Sequence, residues 1–112
     1  MKLLKNFANK RIDERFKELG FKKSEETKYG VVYKRYNKKY GYTHVIHLIH
    51  KHNGKHIVQS YDEKAVIGCD GNIGVGLTMC ELDLCLRKMK ALGWKGKWIY
   101  GNFSTNRISR YI

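Results

Sequence analysis

The chain has 112 residues and a formal net charge of +13, a length that predicts a single domain, 1–112, with one hydrophobic core. Apolar residues at 42% and aromatics at 12% argue against wholesale disorder; lysine, arginine, histidine or glycine interrupts every apolar run, so none of them reads as a bilayer span. The charge is uneven, with 13 basic and 5 acidic side chains in residues 1–40, and such a field attracts phosphate backbones, anionic lipid or acidic protein without choosing among them.

In chain order, residues 3–19 place Leu4, Ala8, Ile12, Phe16 and Leu19 three and four apart, with Gly20 as a stop signal, and this predicts an amphipathic helix. The same stretch reaches Lys5, Asn6 and Lys10 too soon for a secretory signal. Between Phe21 and Lys28 the sequence is polar. YGVVYKRYN then favours a strand over about residues 29–36, followed by a turn through Asn37 to Gly41.

The run from Tyr42 to His52 is rich in β-branched and aromatic residues and meets KHIVQSYD across Asn53-Gly54, a dipeptide that favours a two-residue hairpin turn. Such a turn sets His50 opposite Ile57, Leu48 opposite Gln59 and Ile46 opposite Tyr61. Ile46, Leu48, Ile57 and Tyr61 then form the core face, with Val45, Ile49 and Val58 on the reverse. Ala65 to Cys69 reads as a short edge or continuation strand and DGNIGVG at 70–76 as a glycine-rich connection.

Thr78 with Glu81 three residues later is a capping box for a second helix. Its apolar stripe is Met79, Leu82, Leu86 and Met89, broadened by Leu84 and Leu92 and closed by Gly93. WKGKWIYGNFSTNRISRYI follows as an aromatic and basic segment, a further strand or a packed tail. The expectation is an α+β fold: a small antiparallel sheet of three or four strands packed by two helices on one face, in the approximate order α-β-β-β-α.

Cys69, Cys80 and Cys85 are an odd number without a CxxC pair, which predicts reduced thiols and a cytoplasmic protein. His44, His47, His50, His52 and His56 crowd the central hairpin, but their spacing is no zinc-finger pattern and alternation along the strands separates them, so they read as structural or surface groups. A nuclease reading would need one of them beside an acid or a nucleophile in a cleft. Gly71, Gly74 and Gly76 fit neither phosphate-loop pattern, and Asp70 and Asn72 lack the later acidic ligand of a calcium loop. No cofactor or metal is expected.

Basic and aromatic residues interleave in KYGVVYKRYNKKYGY, a composition in which cations meet phosphates while rings stack on bases. Lys34, Arg35, Lys38 and Lys39 are the candidate phosphate contacts, and Tyr36 and Tyr40 the candidate stacking rings.

The element order over residues 3–92 resembles the double-stranded-RNA-binding domain, but where that family begins its second helix with lysines this chain has the acidic TMCELD. YGVVYKRYN, YTHVIHLIHKHNGKHIVQSYD and VGLTMCELDLCLRKMKALGW resemble small uncharacterised phage or mobile-element proteins of Gram-positive bacteria over about residues 12–94. That resemblance implies an accessory or interaction role and no activity for individual residues. The expected function is noncatalytic nucleic-acid binding, with direct action on an acidic host or phage protein as the alternative and no membrane partner.

Overall fold

The protein is described by a computed structural model over residues 2–64 and 74–96, with side chains from residue 6 onward. The order is α1 (Lys2–Glu18), β1 (Lys22–Thr27), β2 (Gly30–Asn37), β3 (Tyr42–Ile49), β4 (Ile57–Asp62) and α2 (Met79–Ala91). The strands form one antiparallel sheet in the sequential order β1-β2-β3-β4, so the expected α+β class holds with an additional first strand. That strand separates the order from the three-stranded one of the RNA-binding domain. The expected strand at 65–69, most of the glycine-rich connection, and the tail beyond residue 96 lie outside the described residues.

Both helices end in the same way. Gly20 (φ 94°) donates to Lys17 O at 2.9 Å and Phe21 N to Phe16 O at 3.0 Å; Gly93 (φ 76°) donates to Lys90 O at 3.0 Å and Trp94 N to Met89 O at 3.2 Å. Each is a Schellman ending, in which a left-handed glycine lets the chain turn back and its aromatic neighbour fold over the last turn. The Phe21 ring meets Phe16 edge to face at 6.0 Å. Phe16 in turn stacks on Tyr33 of β2 at 3.9 Å between ring centroids.

Alternation along the strands turns Val31, Tyr33, Ile46 and Leu48 towards the helices, where they join Phe16, Phe21, Leu84, Cys85, Met89 and Trp94 in one cluster. Both helices therefore cover the same sheet face. The face of α2 is rotated from the expected stripe: Glu81, Leu84, Cys85, Lys88 and Met89 are buried, while Met79 is 85% exposed and Leu82 also faces outward. The true stripe keeps the helical spacing but contains two charged residues, so an apolar count passes over it.

The β3–β4 register is one residue from the expected one. Leu48 pairs with Val58, Ile46 with Ser60 and Ile49 with Ile57, which puts Val58 against the core and Ile57 outside. A one-residue slip exchanges the two faces of a strand. Its cause is the connection, which runs through residues 50–56 instead of two turn residues. Gly54 does adopt a left-handed angle (φ 78°), but its N–H closes a turn onto Lys51 O at 3.1 Å. The His56 ring replaces a ladder bond, with Nδ1 accepting from Lys51 N at 3.0 Å, and it packs with His50 against Trp94.

Candidate nucleic-acid interface

In β2, residues 31, 33 and 35 face the helices, and Lys34 and Tyr36 the opposite, solvent side. The six residues expected to act together are thereby divided. Arg35 is turned inward: it contacts Leu19 O at 3.1 Å, Glu81 Oε2 at 3.0 Å and His44 Nδ1 at 3.3 Å, and lies over the Phe21 ring at 4.2 Å from its centroid. It ties the end of α1 to α2 and does not share a surface with Lys34.

Lys34 and Tyr36 share the solvent side of the sheet, and the other three stand exposed in the turn that follows β2. Asn37 accepts Gly41 N on its backbone oxygen at 2.8 Å and Tyr40 N on its side-chain oxygen at 3.1 Å, fixing the turn that presents Lys38, Lys39 and Tyr40. Tyr36 is 64% and Tyr40 70% exposed, high values for rings in an ordered segment. The Lys39 ammonium lies 5.3 Å from the Tyr40 centroid. Lys34 pairs with Glu63 at 2.5 Å, and that hydrogen bond raises its pKa above the usual value.

Composition does not point to Lys22, because KKSEET carries no apolar alternation to mark a strand. In β1 it stands directly opposite Lys34, on the same side of the sheet as Tyr36. Directly opposed like charges destabilise a strand pair. With Tyr36, Thr43 and Gly20, these two lysines line a groove of ≈ 560 Å³.

Where α1, β1 and α2 meet, charges neutralise one another. Lys88 is 0% exposed, with its ammonium 3.1 Å from Asp13 Oδ1 and 3.0 Å from Glu26 Oε1. Asp13 also accepts from Tyr33 Oη at 2.5 Å and Lys23 at 2.9 Å. Burial pushes the Asp13 carboxyl up, but Tyr33, Lys23 and Lys88 together bring it below the usual range. Glu26 is likewise raised by burial and brought lower by Lys88 and then Lys23.

The buried His44 has the contacts of a Ser–His pair without its chemistry. Its Nδ1 faces an Arg35 N–H, so Nδ1 accepts and Nε2 carries the proton, donating to Ser60 Oγ at 2.6 Å. A ring that already donates to serine cannot take the serine proton. Burial, and then the Arg35 charge, hold the His44 pKa down. Burial, with Glu81 beside it, pushes the Cys85 thiol up to about 12, far from a reactive thiolate. Among the described residues no three histidine, cysteine or acidic side chains converge to hold a metal, and no helix is long and apolar enough to cross a membrane. The chain matches no family model, no curated protein and no solved structure.

Proposed function

We propose that this chain is a noncatalytic accessory protein that binds nucleic acid through the solvent side of β1 and β2 and the turn after β2. The observation that carries the reading is the pair of exposed rings, Tyr36 and Tyr40, set among Lys22, Lys34, Lys38 and Lys39. Aromatic faces serve any base, and lysines beside them serve the backbone. A single strand fits this arrangement better than a duplex, because bases within a duplex are already stacked.

The test is a salt series with single-stranded DNA, single-stranded RNA and both duplexes. Affinity falls with rising salt as condensed counterions are released. Lys22, Lys34, Lys38 and Lys39 changed together to glutamine weaken all polymers and flatten the salt slope. Tyr36→Ala with Tyr40→Ala weakens single strands selectively, by about 1–3 kcal/mol per lost stack. No binding to any polymer at low salt rejects the proposal.

A further inference from the structure

A second basic surface lies on the far side of the molecule, between the two helices. Ala8, Ile12, Leu84 and Ala91 form the apolar part of a groove of ≈ 410 Å³, and Arg11, Arg15, Arg87 and Lys90 stand along it. Arg87 pairs with Asp83 on its own helix at 2.9 Å. Arg11, Arg15 and Lys90 make no ion pair among the described residues, unlike the cations that the fold uses internally.

No ion pair among the described residues accounts for placing Arg11, Arg15 and Lys90 here. Arg11 and Arg15 are four residues apart on one helix, where like charges repel, and they face further cations across the groove. Packing α1 on α2 needs only the apolar residues between them. The guanidinium groups suit carboxylates, which they bind through paired N–H donors.

We propose that this groove is a docking site for an acidic amphipathic helix of a partner protein, its apolar side chains seated on Ala8, Ile12 and Ala91 and its carboxylates on Arg11, Arg15 and Arg87. Two features select this occupant. Ala8 and Ala91 on the floor leave room for inserted apolar side chains, which a phosphate backbone lacks, and cations on both walls match carboxylates flanking an apolar stripe. The space holds side chains and not a helix about 10–12 Å across, so the partner lies along the groove. The site is separate from the proposed nucleic-acid face and does not depend on that reading.

The test uses the full chain and a fluorescent glutamate–leucine peptide of about four helical turns, its leucines spaced to form one stripe. A scrambled peptide of the same composition without a stripe, and oligothymidylate, serve as comparisons. In fluorescence anisotropy at near-physiological salt, the striped peptide binds about tenfold or more tightly than the scrambled one. Arg11→Gln, Arg15→Gln and Arg87→Gln together weaken it about tenfold or more; so does Ala8→Trp or Ala91→Trp, each filling the floor at constant charge, with circular dichroism checking the fold. Changing Lys34, Lys38 and Lys39 to glutamine affects oligothymidylate and leaves the peptide within about twofold. Equal binding of both peptides, no effect of a folded tryptophan variant, or losses that follow net charge wherever it is removed would each overturn the proposal.

Discussion

Removing Lys88 separates two contributions that its environment joins. The ammonium is out of water between Asp13 and Glu26, at 3.1 and 3.0 Å, and the stem lies in the helix–sheet core. For a buried charge, attraction to its partners does little more than offset desolvation, so the stem is the larger stabilising part. Lys88→Met keeps the stem. The carboxylates it leaves behind are partly wet, at 23% and 37% exposed, and both keep Lys23; the expected loss is about 1–2 kcal/mol.

Lys88→Ala also opens a cavity, for a loss of about 3–5 kcal/mol. Urea unfolding at pH 7, followed by circular dichroism with an unchanged slope, measures both. A methionine variant as unstable as the alanine variant would refute the reasoning, because the ion pairs would then outweigh the stem. The acid limb is a second reading of the same variants. Asp13 and Glu26 have lowered folded pKa values, so their contribution is complete above the ordinary carboxyl values of about 4 and disappears as pH falls through the folded ones. Lys88 is among the causes of both depressions, and its replacement by methionine flattens stability loss between about pH 5 and pH 3.

Glu81→Ala removes the reciprocal cap on Thr78 N and the Oε2 partner of Arg35, and thermal and urea unfolding are expected to show a loss of about 2–4 kcal/mol. Gly20→Ala forces a side chain into a left-handed angle 3.1 Å from the Arg35 stem and costs about 1–2 kcal/mol, read as a lower urea midpoint. Native-state alkylation at pH 8, mapped by mass spectrometry, labels the exposed Cys80 and spares Cys85, whose thiol is buried with a pKa of about 12; equal labelling would place Cys85 outside the core.

Much of this fold was legible where one local device fixes one feature. Gly20 and Gly93 mark helix ends, and Thr78 with Glu81 marks a start, because caps act through neighbouring residues. The missed features rest on contacts between distant segments. KKSEET has no apolar alternation because β1 is an exposed edge strand held by its ladder to β2. The rotation of α2 depends on Arg35 and Asp13 neutralising Glu81 and Lys88, and the hairpin slip depends on the His56 ring, whose Nε2 reaches Lys95 O at 2.8 Å. At the candidate interface Lys34, Tyr36, Lys38, Lys39 and Tyr40 are legible from composition, but only the period of two along β2 separates Arg35 from Lys34, and Lys22 depends on a strand that its own sequence does not mark.

The sequential strand order also bears on how fast the chain reaches its native state. Each strand finds its partner across a short connection, from Lys28-Tyr29 to residues 50–56, so the sheet assembles from nearby pieces with little loop-closure entropy. Among the described elements the most distant encounter is α2 docking on α1 and the sheet, which must bring Lys88 to Asp13 of α1 and Glu81 to Arg35 of β2 together with the apolar cluster. A transition state with β2 and β3 already paired and α2 still undocked follows from that topology. Core truncations in β2 and β3 then slow refolding, while Leu84→Ala chiefly speeds unfolding.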